Sequence, residues 1–282
     1  VKAGLPPPAR AAIEAASGAL GLGDPVVSLL PGGVANRSFR LQGNGQDVVL
    51  KLAGAESSGL GADLRSEVAM QALAADAGLA PRVMHADPAM GFIASRHAEG
   101  RFPSDREIRQ APFLERVGRW LAALHALPPP AGLPIVDFGE RAAAYLARLS
   151  GAFEARLARE LASRRAALGA TPRQVPCHHD LHRRNLLDDG RRLLVVDWEY
   201  AGPGDPAADL AACIGYHGLD AAATDALFTG YGGALDRSLR ARVEALGWIF
   251  DCLWYGWNAA AAQAGFAADP EERSRLAARL AH

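Results

Sequence analysis

Cysteine is scarce in this 282-residue chain: Cys177, Cys213 and Cys252 stand far apart, odd in number and set among apolar residues. That excludes a disulfide framework and offers no zinc-ligand spacing, so the three read as reduced, packed thiols. Long apolar runs are missing too. Each hydrophobic stretch is broken by Gly, Pro or charge, which excludes a membrane-spanning helix. The opening residues VKAGLPPPAR lack the apolar stretch of a secretory leader, so a cytoplasmic location is expected. Nor does either sign of charge dominate: 22% of residues are charged and the formal net charge is −1. With no basic excess and no acidic tail, neither nucleic acid nor a membrane is an expected partner. What is present is a globular composition, half hydrophobic, long enough for one large or two smaller domains.

Hydrophobic periodicity divides the chain unevenly. A leading helix is expected over 9–22, stopped by Gly21 and Gly23. Apolar runs at 26–30, 38–42 and 47–52, separated by Gly- and Asn-containing turns, predict a three-stranded antiparallel meander. A helix over 63–77 and two more strands at 82–86 and 91–95 follow. From residue 104 the helical period takes over: 109–127, 139–168, 207–217, 220–230, 236–264 and 270–281. Two short strand-like pieces interrupt it at 186–188 and 192–196. The expected architecture is α+β: a β-rich lobe over 1–98 and a larger, mainly helical lobe over 99–282.

The polar residues on this scaffold suggest a chemistry. Lys51 ends the strand VVLKL, and Glu67 lies on the next helix. Protein kinases use such a strand lysine and helix glutamate to hold nucleotide phosphates. The stretch CHHDLHRRNLL (177–187) contains H-x-D-x4-N, made by His178, Asp180 and Asn185. An aspartate there can align a substrate hydroxyl for in-line attack, and the asparagine carbonyl can serve as a neutral magnesium ligand. Asp197 ends the strand LLVVD and offers the hard oxygen Mg2+ prefers. The three histidines at 178, 179 and 182 would not converge on one zinc. His178 is expected to brace the loop, and His182 to support it or lie near substrate. In PGGVANRSF (31–39), Gly32 and Gly33 can turn backbone N–H groups toward an anion, with Asn36 and Ser38 assisting.

HHDLHRRNLL followed by VVDWEYAGPGDPAADLA (195–211) closely resembles the aminoglycoside phosphotransferase and choline kinase superfamily. The resemblance extends to GGVANRSF, VVLKL, RSEVAMQALAADAGLAPRV and LAALHALPPP, and so covers most of the chain. It implies a protein-kinase-like fold, ATP as donor, Mg2+ as cofactor and a small-molecule hydroxyl as acceptor. By position it implies Asp180 as catalytic base or aligner, Asn185 and Asp197 as metal ligands, and Lys51 on phosphate with Glu67 as partner. The adenine is expected near Ser95–His97, where the strand GFIAS meets the helical part. Where protein kinases have D-F-G, this chain has Asp197-Trp198-Glu199, so an activation-loop switch is not expected.

DWEYAG and the glycine loop are closest to the choline, ethanolamine and thiamine kinase branch, with Ala35 replacing that branch's usual hydroxyl. In GWIFDCLWYGWNAA (247–260), Trp254 and Trp257 are three apart and share a helical face. Aromatic faces bind quaternary ammonium and thiazolium cations. These two are read as acceptor-pocket residues, and Trp248 and Phe250 as core. Glu199, Asp205 and Asp251 are candidate sources of negative charge, and Asp209 is expected to tie the catalytic loop to its helix. Two readings stand beside this one: an antibiotic or sugar phosphotransferase, and a catalytically silent kinase-fold binding protein. Monomer and dimer are both compatible with the sequence.

Overall fold

The computed structural model describes residues 5–31, 36–54, 61–170, 173–233, 236–266 and 269–281. Gly32 and Gly33 of the expected nucleotide loop, and Ala35 with them, lie outside the described residues. Helix α1 (Pro7–Leu20) begins on prolines, whose fixed φ suits a first helical turn, and stops at Gly21 in the left-handed region. Its Ala9, Ala12, Ile13 and Ala16 lie on one stripe and cover one face of a sheet.

That sheet has five antiparallel strands: β1 (Val26–Leu29), β2 (Arg37–Gly43), β3 (Gln46–Leu52), β4 (Val83–Asp87) and β5 (Phe92–Arg96). They run in the order β1-β2-β3-β5-β4. The β2–β3 hairpin turns at Asn44 and Gly45, both with positive φ (48° and 73°), as a tight hairpin requires. Period-two alternation sends Phe39, Leu41, Val48, Leu50 and Phe92 under α1, and therefore turns Lys51 to the opposite face. Helix α2 (Leu64–Asp76) connects β3 to β4; its N-cap, Asp63, accepts from the Arg65 N–H.

The larger lobe is helical. Its elements are α3 (Ala111–His125), α4 (Phe138–Leu146), α5 (Ala152–Leu168), α6 (Pro206–His217), α7 (Ala221–Gly232), α8 (Arg237–Gln263) and α9 (Pro270–Leu280). One apolar core joins them, running from Met70 of α2 through Trp198 to Leu280. The single helix expected over 139–168 is two, because Gly151 adopts φ 147°, a conformation outside any helix. Two short antiparallel pairs carry the site loops: β6 (Val175–Cys177) with β9 (Gly202–Gly204), and β7 (Leu186–Asp188) with β8 (Leu193–Val195). The first pair escapes a sequence reading because its strands, Val-Pro-Cys and Gly-Pro-Gly, carry almost no strand propensity.

Candidate active site

Lys51, Glu67 and Asp197 meet where the free face of the sheet looks onto the helical lobe. The Lys51 Nζ lies 2.5 Å from Glu67 Oε1 and 2.7 Å from Asp197 Oδ1. Burial alone would lower the Lys51 pKa, but the charges of Asp197, Glu67 and Glu199 raise it, so the ammonium stays protonated. Burial pushes Asp197 up, and Lys51 more than reverses that, leaving the carboxyl below its ordinary value. Asp197 itself sits at φ 63°, left-handed for a non-glycine residue, which bends the chain out of β8.

Buried hydrogen bonds hold the 177–187 loop. Asp209 of α6 accepts the His178 N–H at 2.9 Å on one oxygen and the His179 N–H at 2.6 Å on the other. His125 adds a third bond at 3.1 Å. Burial pushes the Asp209 pKa up, but these bonds and the nearby histidines bring it down to about 2. Asp209 thus ties loop to helix. His178 is a brace: its Nδ1 accepts the Asp180 N–H and its Nε2 reaches the Val196 carbonyl, spanning the loop and the segment before Asp197. His179 stands at φ 65°, and a Cβ on Gly204 would meet its Nε2 at 2.5 Å, so this position needs glycine. Cys177, beside His125 and Asp209, gives its thiol hydrogen to the Asp205 carbonyl, and burial keeps it a thiol rather than a metal-binding thiolate.

Asp180 is gripped on both oxygens. Oδ2 accepts from the Asn185 amide at 2.9 Å, and Oδ1 accepts from the Tyr216 hydroxyl at 2.7 Å. The Asn185 Nδ2 also donates to the Asp180 carbonyl, which leaves Asn185 Oδ1 without a partner among the described residues. Asp197 Oδ2 is likewise uncommitted among them. One amide oxygen and one carboxylate oxygen are a donor set that fits a hard divalent cation. His182 caps the short 3-10 turn 183–185 and places Nε2 3.7 Å from Asp180 Oδ2.

Tyr216 was not singled out by any motif, yet it joins the two halves of the site. Its ring makes edge contacts with Trp254 at 5.0 Å, His182 at 5.8 Å and Phe250 at 4.8 Å. Trp254 stacks on Trp257 with centroids 4.9 Å apart and planes 13° apart, so each ring offers only its outer face. The Trp257 Nε1–H donates to the Tyr200 hydroxyl at 3.1 Å, and the Trp254 Nε1–H to Glu272 of α9 at 3.3 Å. A phenol three residues past Asp197 and another 36 residues past Asp180 were the available signals; neither has a fixed spacing that a sequence reader could use.

The candidate carboxylates are engaged. Glu199 accepts from the Asn36 amide at 2.5 Å, Asp205 pairs with Arg242, and Asp251 pairs with Arg279 at 2.6 Å. Burial and the charge of Asp197 push the Glu199 pKa up to about 8. Ser38 lies opposite Lys51 in the sheet, on the strand entered from Asn36. Ser95 accepts from Gln71 of α2 at 2.7 Å. His97 donates its N–H to the Asp47 carbonyl at the end of β5.

Residues 26–246 match the sequence profile of the phosphotransferase enzyme family. Protein LicA of Haemophilus influenzae is 43% identical over 56 residues, which are 20% of this chain and 21% of that protein. Thiamine kinase of Escherichia coli is 38% identical over 76 residues, 27% of this chain and 24% of that one. The alignments therefore span about a quarter or less of those relatives. Among solved structures, a choline/ethanolamine kinase family protein from Mesorhizobium loti superposes with a TM-score of 0.75 at 28% identity, covering 90% of this chain and 86% of that one. Choline kinase LicA from Streptococcus pneumoniae gives 0.77 at 17% identity, covering 95% and 97%, a likeness of fold alone. With its sheet, the 177–187 loop and α6 all inside the matched span, the chain belongs to the phosphotransferase enzyme family.

Proposed function

We propose that the protein is an ATP-dependent, Mg2+-requiring kinase that phosphorylates the hydroxyl of a small cationic alcohol of the choline, ethanolamine or thiamine type. The observation that carries this reading is the Asp180–Tyr216–Trp254–Trp257 row, which joins the proposed base to an aromatic wall without a break. In this reading residues 1–98 hold the nucleotide and residues 99–282 hold the acceptor.

Asp180 orients the acceptor hydroxyl and takes its proton as the hydroxyl oxygen bonds to the γ-phosphorus. The bond from that phosphorus to the β–γ bridging oxygen breaks, and ADP leaves. Tyr216 and Asn185 fix the carboxylate so that little reorganisation is needed. Lys51, held by Glu67, steadies the phosphates. Asn185 Oδ1 and Asp197 would hold Mg2+, which supplies charge neutralisation when bound. Asn36, tied to Glu199, sits where the glycine loop enters β2. The outer faces of Trp254 and Trp257, with the Tyr200 and Tyr216 rings, receive the cationic end by cation–π attraction.

An ATP-consumption screen over choline, ethanolamine, thiamine, aminoglycosides, macrolides and sugar alcohols tests the reading. Turnover confined to a cationic alcohol is the expected result. Turnover only with a polyhydroxylated acceptor contradicts the acceptor class, and ATP binding with no turnover on any acceptor contradicts the enzyme.

A further inference from the structure

Arg141 brings a charge to this site that no carboxylate among the described residues pairs with. It lies on α4, one turn before Tyr145 and on the same face. Tyr145 approaches α8 closely, since a Cβ on Gly256 would stand 2.7 Å from the Tyr145 Cβ, and it clusters with Trp257. This face of α4 therefore borders the aromatic wall. The guanidinium carbon stands 5.6 Å from the centre of the Tyr200 ring, the same tyrosine that receives the Trp257 N–H.

Its hydrogen bonds are long and go to carbonyls: 3.5 Å to Tyr200 and 3.4 Å to Gly61. No carboxylate lies within 4.0 Å of it among the described residues. Two other half-buried arginines do have one: Arg116 with Asp188 and Arg242 with Asp205. Burial lowers the Arg141 pKa, and the two phenols beside it, Tyr145 and Tyr200, have theirs raised by burial and stay neutral. A guanidinium fork taken out of water without a counter-ion is costly to keep, and its donor geometry matches a carboxylate or a phosphate.

The geometry points to a ligand that brings the missing anion: the acceptor is a zwitterionic alcohol, its ammonium against the tryptophan pair and its carboxylate against Arg141. This rests on the cationic-alcohol reading above and narrows it. The transferred phosphoryl group could supply similar oxyanions. However, the guanidinium lies over the ring of Tyr200, whose hydroxyl accepts the Trp257 N–H, and it rises from the same face of α4 as Tyr145, which packs with Trp257. The arginine therefore belongs with the acceptor wall.

Two matched pairs of primary alcohols isolate the carboxylate: ethanolamine against serine, and choline against N,N,N-trimethylserine. The wild type is expected to favour the carboxylated member of at least one pair by roughly tenfold or more in kcat/KM, the usual worth of a charge-assisted pair. Arg141→Met, which keeps the stem on Tyr200 but removes the fork, should bring that ratio down to about one through the acceptor KM. Arg141→Lys should restore part of it, and carries the comparison if the methionine variant does not fold. A wild type that favours the uncarboxylated members overturns the proposal, as does a ratio that Arg141→Met leaves alone. A uniform loss of kcat on every acceptor would assign Arg141 to the phosphoryl group and overturn it equally. If only uncarboxylated alcohols, thiamine among them, are turned over, the cationic-alcohol reading survives and this one fails; if neither thiamine nor any member of either pair is, both fail.

Discussion

The two ends of the site are built from opposite materials. Around Lys51 the structure sets charge against charge, with Glu67 and Asp197 both in contact with one ammonium. Around Asp180 the partners are neutral: a phenol, an amide, and beyond them a run of rings. The contrast follows from what each end is proposed to meet. Polyanionic phosphates need a fixed cation and room for a metal. A single developing alkoxide needs one aligned base, and a soft cation needs ring faces. A charge cluster depends on every member remaining ionised, whereas a wall of rings depends on packing.

The largest effect that would break this contrast is expected at the charged end. Lys51→Met leaves the buried Glu67 carboxylate facing the half-buried Asp197 with no cation between them, and should cost about 3 kcal/mol in stability by urea denaturation. An unchanged midpoint would mean the three groups are solvated and the contrast is false. Next comes Asp180→Asn, which keeps the hydrogen-bonding shape but not the base. It should lower turnover by roughly 100-fold or more while nucleotide affinity, measured by titration calorimetry, stays close to wild type. A parallel loss of nucleotide affinity would move Asp180 to the phosphate end.

Acid should find the neutral end through its histidines. His217 reaches the Leu181 carbonyl at 3.1 Å, and burial lowers its pKa to about 4. The same cause takes His179 to about 4. A histidine whose folded pKa lies below its unfolded value stabilises fully above about pH 6.5, and loses that contribution as pH falls from there toward 4. His217→Gln retains a donor for Leu181 but does not titrate. Between pH 7 and pH 5 its stability should fall by about 1–2 kcal/mol less than the wild type's. Parallel stability curves would place the wild-type proton elsewhere.

These two materials were not equally legible in the sequence. Lys51, Asp180, Asn185 and Asp197 sit in motifs with fixed spacing, because a strand end or a tight loop sets where each side chain goes. The loop brace by His178 and the tie by Asp209 were readable for the same reason. Tyr216 and Arg141 were not. Each comes from a helix whose placement depends on tertiary packing, and no local spacing links Tyr216 to Asp180 or Arg141 to Tyr200. The stacking of Trp254 on Trp257 was also hidden: helical spacing puts the rings on one face but does not say whether they bracket a ligand or each other. In the fold, the sheet and most helices followed from periodicity. The split between α4 and α5 depended on one glycine conformation at Gly151 within an otherwise helical pattern.

The smallest of these effects bears most directly on the central claim, that Asp180 and the aromatic wall form one acceptor site. Trp254→Leu removes the ring between Tyr216 and Trp257, together with the N–H that Glu272 accepts, and leaves the formal charges of the site unchanged. Steady-state kinetics with the best cationic alcohol should show the acceptor KM raised by about 5- to 30-fold, equivalent to about 1–2 kcal/mol, with the KM for ATP nearly unchanged. An acceptor KM that does not move, or one that moves together with the KM for ATP, would contradict the account.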